Sequence, residues 1–240
     1  MKAMIFAAGL GTRLKPLTNN SPKALVEING ETLIAGVIRK LKNAGVTDII
    51  VNIHHFANQM IEYFKVNNFG VNIELSDESR FLLDTGGGLK KAAHFFNDGK
   101  PFFAYNVDIL SNIDLIKMYN QHIQNNALAT LAVKNRKSMR FLLFDDRDLL
   151  SGWENLASRE LRLIRGVREE LNAFAFSGIQ VIDPKVLEMF AEVGKFSIVD
   201  VYLRLADIEN INAFHHDEDY WFDLGTFKQL QEAQDFIKTI

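Results

Sequence analysis

No cysteine occurs in the chain, which excludes disulfides, a thiolate nucleophile and cysteine-ligated zinc, and suits a reducing compartment. No broad field of one charge exists either. The formal net charge is −3 with acids and bases interspersed, so neither nucleic acid nor an anionic membrane is an expected partner, and any phosphate binding must be local. No apolar run approaches the roughly 18 residues of a membrane span, and the opening MKAMIFAAG is interrupted by glycine and arginine too early for a secretory segment. A soluble, cytoplasmic protein is the expectation. G-x-x-x-x-G-K-[ST] is absent, and Leu14 stands where the dinucleotide fingerprint requires its third glycine, so ATPase and dehydrogenase readings lose ground. There is no internal repeat, low-complexity tract or linker, and a single domain over residues 1–240 is expected.

What the chain does have is an apolar strand that ends in glycines. Met4 to Ala8 is apolar on both faces, as a central parallel strand is, and gives way to Gly9-Leu10-Gly11-Thr12-Arg13 and then to Pro22-Lys23. Glycines let main-chain N–H groups approach a ligand oxygen, Arg13 offers a planar fork, and Lys23 offers a compact charge. Together these residues form a candidate phosphate site, with a plain strand-to-helix turn as the alternative for the glycines alone.

Downstream the pattern alternates. Leu33, Ile34, Val37, Ile38 and Leu41 make a helical stripe closed by Gly45; Ile49 to Ile53 reads as a strand, Met60, Ile61 and Phe64 as a helix, and Val71, Ile73 and Leu75 as a strand. This rhythm predicts an α/β fold, a Rossmann-like three-layer sandwich on a mostly parallel mixed sheet. Gly86-Gly87-Gly88 is expected to open a helix, either wrapping a flat ligand or an anion or serving as a flexible loop. Phe102 to Val107 is a strand ending in Asp108, at the sheet edge where residues 9–13 also emerge. Later strands are expected at Leu128 to Val133, at Phe141 to Phe144 with an acidic turn toward Trp153, and at Phe174 to Ile182, where Ser177-Gly178 suggests close approach of a ligand. Trp221 to Thr226 places Asp223 before a glycine turn. Two aspartates at strand ends suit Mg²⁺, which takes one or two carboxylates plus phosphate oxygens; the alternative for Asp223 is a turn cap. The pairs His54-His55 and His215-His216 are read as structural or surface residues, because neighbours on a strand point to opposite faces.

Gly9 to Thr18, reading G-x-G-T-R-L-x-P-L-T, together with Pro22-Lys23, resembles the signature of the sugar-1-phosphate nucleotidylyltransferases. Within that family, Asp84 to Gly88 and Ala175 to Ile179 are most similar to the short N-acetylmuramate-1-phosphate uridylyltransferases of cell-wall recycling. The resemblance implies a nucleoside triphosphate and a sugar 1-phosphate as substrates, Mg²⁺ on Asp108 and Asp223, and catalysis by Arg13, Lys23, Asp108 and Asp223. It implies a nucleotide site of Ala8, Gly9, Gly11, Thr12, Arg13, Lys23, Glu78, Thr85, Gly86 and Gly87. Asn106 and Gly178 are implied at the sugar phosphate. The family's Glu-Lys-Pro is missing near residues 165–172, with Arg168 the candidate cation instead, and Val107 replaces a family glycine. UTP is favoured; mannose- or heptose-1-phosphate guanylyltransferases, a glycosyltransferase of similar architecture and an inactive sugar-nucleotide-binding protein are the alternatives. Glu78 could accept from uracil N3–H or from guanine N1–H and N2–H.

Overall fold

In the computed structural model, which describes residues 1–239, the chain opens with β1 (Lys2–Phe6) and a small hairpin of β2 (Glu27–Ile28) and β3 (Glu31–Thr32) leading into α1 (Leu33–Asn43). There follow β4 (Asp48–Ile53), α2 (Ala57–Val66), β5 (Asn72–Asp77) and α3 (Asp84–Lys91), then β6 (Phe102–Asn106), β7 (Ile109–Ser111) and α4 (Leu115–Gln124). The second half contributes β8 (Ala129–Lys134), β9 (Arg140–Phe144), β10 (Leu150–Asn155), β11 (Glu160–Leu163) and the long β12 (Asn172–Ile182). It closes with α5 (Lys185–Glu188), α6 (Ile198–Leu205), β13 (Ile211–His215), β14 (Trp221–Asp223) and α7 (Phe227–Ile237).

Ten strands form one mixed sheet. β5, β4, β1 and β6 are neighbours in that order and all parallel, which is the alternation read from the sequence. β8 and β13 are also parallel, whereas β12 runs antiparallel to β6, β8 and β9, and β9, β10 and β11 form an antiparallel meander. Successive residues of β1 face opposite layers. Ala3 and Ile5 join the core beneath α1, α2, α4 and α7, through Ile34, Met60, Met118 and Leu230; Met4 and Phe6 join a second core with Leu89 of α3 and Val201 of α6. Burial on both sides of the strand is why its sequence is apolar throughout.

Caps fix where the helices begin. The Thr32 hydroxyl accepts from the Ala35 amide at 3.3 Å, Asp114 accepts from Lys117 at 2.9 Å, and Thr226 accepts from Gln229 at 3.3 Å. No helix among the described residues is long and apolar enough to cross a membrane.

From β1 the sheet grows outward through β4 to β5, and β6 then adds to the opposite side of β1. The order therefore reverses between β1 and β6, and loops leaving the carboxyl ends of those strands flank a crevice. Residues 7–13 and Asp108 are in those loops.

Candidate active site

At the end of β1 the loop turns into open space. No atom lies within 4 Å of where a Cβ on Gly9 would stand, so the backbone there is accessible to a ligand. Gly11 has φ +63°, and a Cβ on it would stand 3.0 Å from the Thr18 methyl and 3.1 Å from Lys23 Cβ. Only glycine combines that rotation with that approach. The Thr18 hydroxyl donates to the Gly11 carbonyl at 2.8 Å, and the folded-back loop leaves Thr12 and Arg13 exposed.

Lys23 is only 8% exposed, and its ammonium forms an ion pair with Asp108 Oδ2. The sequence around Asp108 offers no basic neighbour; the fold supplies one from the first loop. Asp223 reaches the same corner because β14 pairs with β7: Asp223 lies opposite Ile109, and the Leu224 amide donates to the Asp108 carbonyl at 2.7 Å. Asp223 Oδ1 accepts from the Gly225 amide at 2.8 Å, as in a turn cap. A Cβ on Gly225 would stand 2.6 Å from that oxygen and 2.8 Å from an Arg13 guanidinium nitrogen, so Arg13 stands beside the Asp223 turn. One oxygen of each carboxylate, Asp108 Oδ1 and Asp223 Oδ2, has no protein partner among the described residues. No group of three or more His, Cys, Asp or Glu side chains suited to a metal comes together among those residues. Two hard oxygen donors with the rest left to phosphate and water is a set that fits Mg²⁺.

Beside this corner lies a cavity of about 210 Å³ whose walls include Ala8, Gly9, Lys23, Glu78, Thr85 and Asp108. Glu78, 2% exposed, is fixed at both oxygens: Oε1 accepts from Asn52 Nδ2 at 2.8 Å and Oε2 from the Leu83 amide at 3.1 Å. Asn52 in turn accepts from the Ala7 and Ala8 amides at 2.7 and 3.3 Å. It therefore ties β1, β4 and Glu78 together. The sequence reading missed this role, although a lone asparagine inside the apolar run Ile49 to Ile53 was its signal. A larger cavity of about 410 Å³ lies between α1 and β7 and includes none of Arg13, Lys23, Asp108 or Asp223 in its walls.

The three glycines lie in the first turns of α3, as expected of a helix opening, and all are buried. A Cβ on Gly86 would overlap the Phe196 ring, one on Gly87 the Gly194 carbonyl, and one on Gly88 would come within 2.7 Å of Glu78 Oε1. The Gly86 and Gly87 amides both donate to the Phe196 carbonyl, at 3.0 and 3.3 Å, so these two amides are committed within the protein. Of the expected residues in this segment, Thr85 lines the cavity; Gly86 and Gly87 do not.

Asn106, which also lines the cavity of about 210 Å³, stands against Gly178, where φ is +74° and a Cβ would be 2.7 Å from Asn106 Nδ2. The β12–β8 register shifts at this point, between Phe176 and Gln180. Arg168 is not brought there. Its fork is taken by Glu154, with Nε and Nη2 donating at 2.8 and 2.7 Å, and Nη1 donates to the Leu171 carbonyl at 3.1 Å. Besides Arg13, a second guanidinium under the influence of Asp223 is Arg136, whose guanidinium carbon lies 4.0 Å from the Trp221 ring centroid. Burial pushes the Arg136 pKa down, opposed by the charge of Asp223. Trp221 Nε1 donates to the Ser177 carbonyl at 2.9 Å, and the Ser177 hydroxyl is hydrogen-bonded to His216 at 2.7 Å. Burial, and then Lys134, hold His216 at a pKa of about 4, so it is neutral near pH 7. His54 lies 2.7 Å from the Glu78 carbonyl and His215 lies 2.8 Å from Asp148.

The profile of the Nucleotidyl transferase family matches residues 2–141. An N-acetylmuramate α-1-phosphate uridylyltransferase of Neisseria meningitidis is 30% identical over 98% of this chain and 97% of its own length. A mannose-1-phosphate guanyltransferase of Yarrowia lipolytica is 31% identical over 96% of this chain, which spans 62% of that relative. Among solved structures, a UDP-glucose pyrophosphorylase complexed with UDP-glucose superposes with a TM-score of 0.80, covering 99% of this chain and 98% of that one at 16% identity. At that identity the likeness speaks for the fold alone.

Proposed function

The chain belongs to the nucleotidyl transferase family, and from that premise we propose that it transfers a uridylyl group from UTP to N-acetylmuramate 1-phosphate, releasing pyrophosphate. The observation that carries this reading is the convergence of Gly9, Lys23, Asp108 and Asp223 at one corner of the switch-point crevice. The choice of uridylyl over guanylyl transfer is supported by coverage: the uridylyltransferase relative is matched over 97% of its length and the guanyltransferase over 62%.

In the reaction, an oxygen of the acceptor phosphate bonds to the α-phosphorus of the nucleotide while the bond from that phosphorus to the pyrophosphate oxygen breaks. The nucleophile is already anionic, so no general base is required, and the protein's work is positioning and charge stabilisation. Lys23, held by Asp108, presents a cation at the end of the nucleotide cavity. Arg13 offers its fork to the departing pyrophosphate, and the backbone at Gly9 lets the phosphates approach. Asp108 and Asp223 would hold Mg²⁺ through their unpartnered oxygens. When bound, the ion would neutralise phosphate charge there. Asn106 and Gly178 form the wall against which the acceptor lies, and Glu78 and Thr85 line the base end.

The test is a matrix of UTP, dTTP and GTP against N-acetylmuramate, glucose and mannose 1-phosphates, with pyrophosphate as readout. The highest kcat/KM is expected for UTP with N-acetylmuramate 1-phosphate. A higher value with GTP for every acceptor would make the enzyme a guanylyltransferase, and no pyrophosphate from any pair would end the transferase reading.

A further inference from the structure

Transfer between two phosphates brings like charges together; of the cations so far described, Lys23 lines the nucleotide cavity and is paired with Asp108, and Arg13 is assigned to the departing pyrophosphate. A sugar phosphate approaching from the β12 and β14 side needs a cation of its own. Arg168 has its fork closed by Glu154. Arg136 has the opposite arrangement. Among the described residues it forms no ion pair with any carboxylate, and its protein acceptors are carbonyls: Phe176 from Nη2 at 2.9 Å and Lys137 from Nη1 at 3.4 Å. Its Nε is buried without a hydrogen-bond partner. A half-buried guanidinium with no direct ion-pair partner and an unsatisfied Nε is costly, and such a group calls for a further partner.

The surroundings say where that partner would lie. Trp221 supports the guanidinium plane at 4.0 Å and sits two residues before Asp223 on β14, so both side chains project from the same face. The Trp221 indole is anchored to the Ser177 carbonyl, adjacent to Gly178, the glycine that stands against Asn106. A guanidinium stacked on an aromatic plane is already oriented, and its fork matches two phosphate oxygens. Asp223 is close enough to influence Arg136 electrostatically but forms no ion pair with it among the described residues, which leaves the charge available to a ligand.

We infer that Arg136 binds the phosphate of the sugar 1-phosphate, an assignment that rests on the transferase reading above. In place of the family's missing Glu-Lys-Pro, the cation comes from the end of β8 and is held by the tryptophan of W-x-D-x-G-T.

Pyrophosphate release would be measured first for the wild type, then for Arg136→Lys and Arg136→Gln, varying UTP and N-acetylmuramate 1-phosphate separately. Glucose 1-phosphate would be added as acceptor or as competitive inhibitor. Loss of a charge-assisted pair should raise KM for the acceptor about 10- to 100-fold in Arg136→Gln, with the glucose 1-phosphate constant rising in parallel. KM for UTP should change less than about threefold, and Arg136→Lys should recover only part of the loss. In a Trp153→Phe background, where Trp221 is the remaining tryptophan, both sugar phosphates should change its emission; this arm needs no Arg136 variant to fold. An unchanged acceptor KM, an equal rise in KM for UTP, or emission that ignores both sugar phosphates would overturn the assignment. A rise confined to N-acetylmuramate 1-phosphate would overturn it too, by moving Arg136 to the lactyl carboxylate. A wild type that releases no pyrophosphate with any pair fails at the first step and removes the transferase reading itself.

Discussion

Replacing Asn52 by leucine keeps the branching of the side chain in a bulkier group and deletes the side chain that, among the described residues, links the end of β1 to Glu78. The Ala7 and Ala8 amides, which donate to Asn52 Oδ1 at 2.7 and 3.3 Å, lose their acceptor in a site that is 3% exposed. Glu78 loses the donor to Oε1 and keeps only the Leu83 amide on Oε2. A buried unpaired amide costs about 1–3 kcal/mol, and a hydrogen bond to a charged group about 1.5–3 kcal/mol. The longer Ala8 contact belongs at the low end, and burying a leucine returns about 1–2 kcal/mol. The net destabilisation is then about 4 kcal/mol, a large part of the roughly 5–15 kcal/mol that folded chains have. With a urea slope of about 2–3 kcal/mol/M, the unfolding midpoint should fall by about 1.5 M. Adding Glu78→Leu should cost less in the Asn52→Leu background than in the wild type, because the shared hydrogen bond is already gone. Additive losses, or a midpoint shift below about 0.3 M, would show that Asn52 is not the junction described.

Arg13→Lys should lower kcat/KM about 10- to 100-fold, since a point charge does not replace the fork beside the Asp223 turn; near-normal rates of pyrophosphate release would remove Arg13 from the site. Gly178→Ala should destabilise by about 1–3 kcal/mol from the positive φ and raise KM for the acceptor by displacing Asn106; an unchanged acceptor KM would contradict the placement of Asn106 at the acceptor. Buried His122 and His216 both have pKa values lowered to about 4, chiefly by burial. The unfolded chain binds more protons than the folded one between about pH 6.5 and 4, so stability is complete above that window and declines through it, by up to about 3 kcal/mol per histidine. Urea midpoints at pH 7 and 5 should reveal the decline, and His122→Gln should flatten it whatever its cost at pH 7; an unchanged slope would contradict the assignment.

The parallel half of the fold was legible because each strand and helix there carries its own period and its own stop signal, as in Leu33 to Gly45. The first loop stood out as a candidate phosphate site because Gly9, Gly11, Arg13 and Lys23 are chemically distinctive and close in sequence. Long-range pairing was not. Asp108 and Asp223 were each singled out as strand ends, but β7 and β14 are three residues long and carry no pattern that announces their register. The ion pair of Lys23 with Asp108 depends on the first loop folding back through Thr18, a tertiary fact. Gly86 to Gly88 were expected to open a helix, but that their amides and surfaces are committed to Phe196, Gly194 and Glu78 was not legible, because those partners come from elsewhere in the chain; their close approach overrides glycine's helix penalty of about 1 kcal/mol per residue. Arg136 was passed over because nothing nearby in sequence marks it, whereas Arg168 stood near the missing motif and was chosen for position alone.

The central claim is that nucleotidyl transfer takes place where Asp108, Asp223 and Lys23 meet, and its most direct test is the rate of pyrophosphate release from UTP and N-acetylmuramate 1-phosphate by Asp223→Asn across a magnesium titration. Because the amide keeps the side chain's shape and can still accept from Gly225, the fold should survive while half the carboxylate charge at the corner disappears. The account predicts a fall of about 100-fold or more in kcat together with a higher half-saturating magnesium concentration. A variant that turns over at close to the wild-type rate and saturates at the same magnesium concentration would contradict it and leave Asp223 as the cap of a turn.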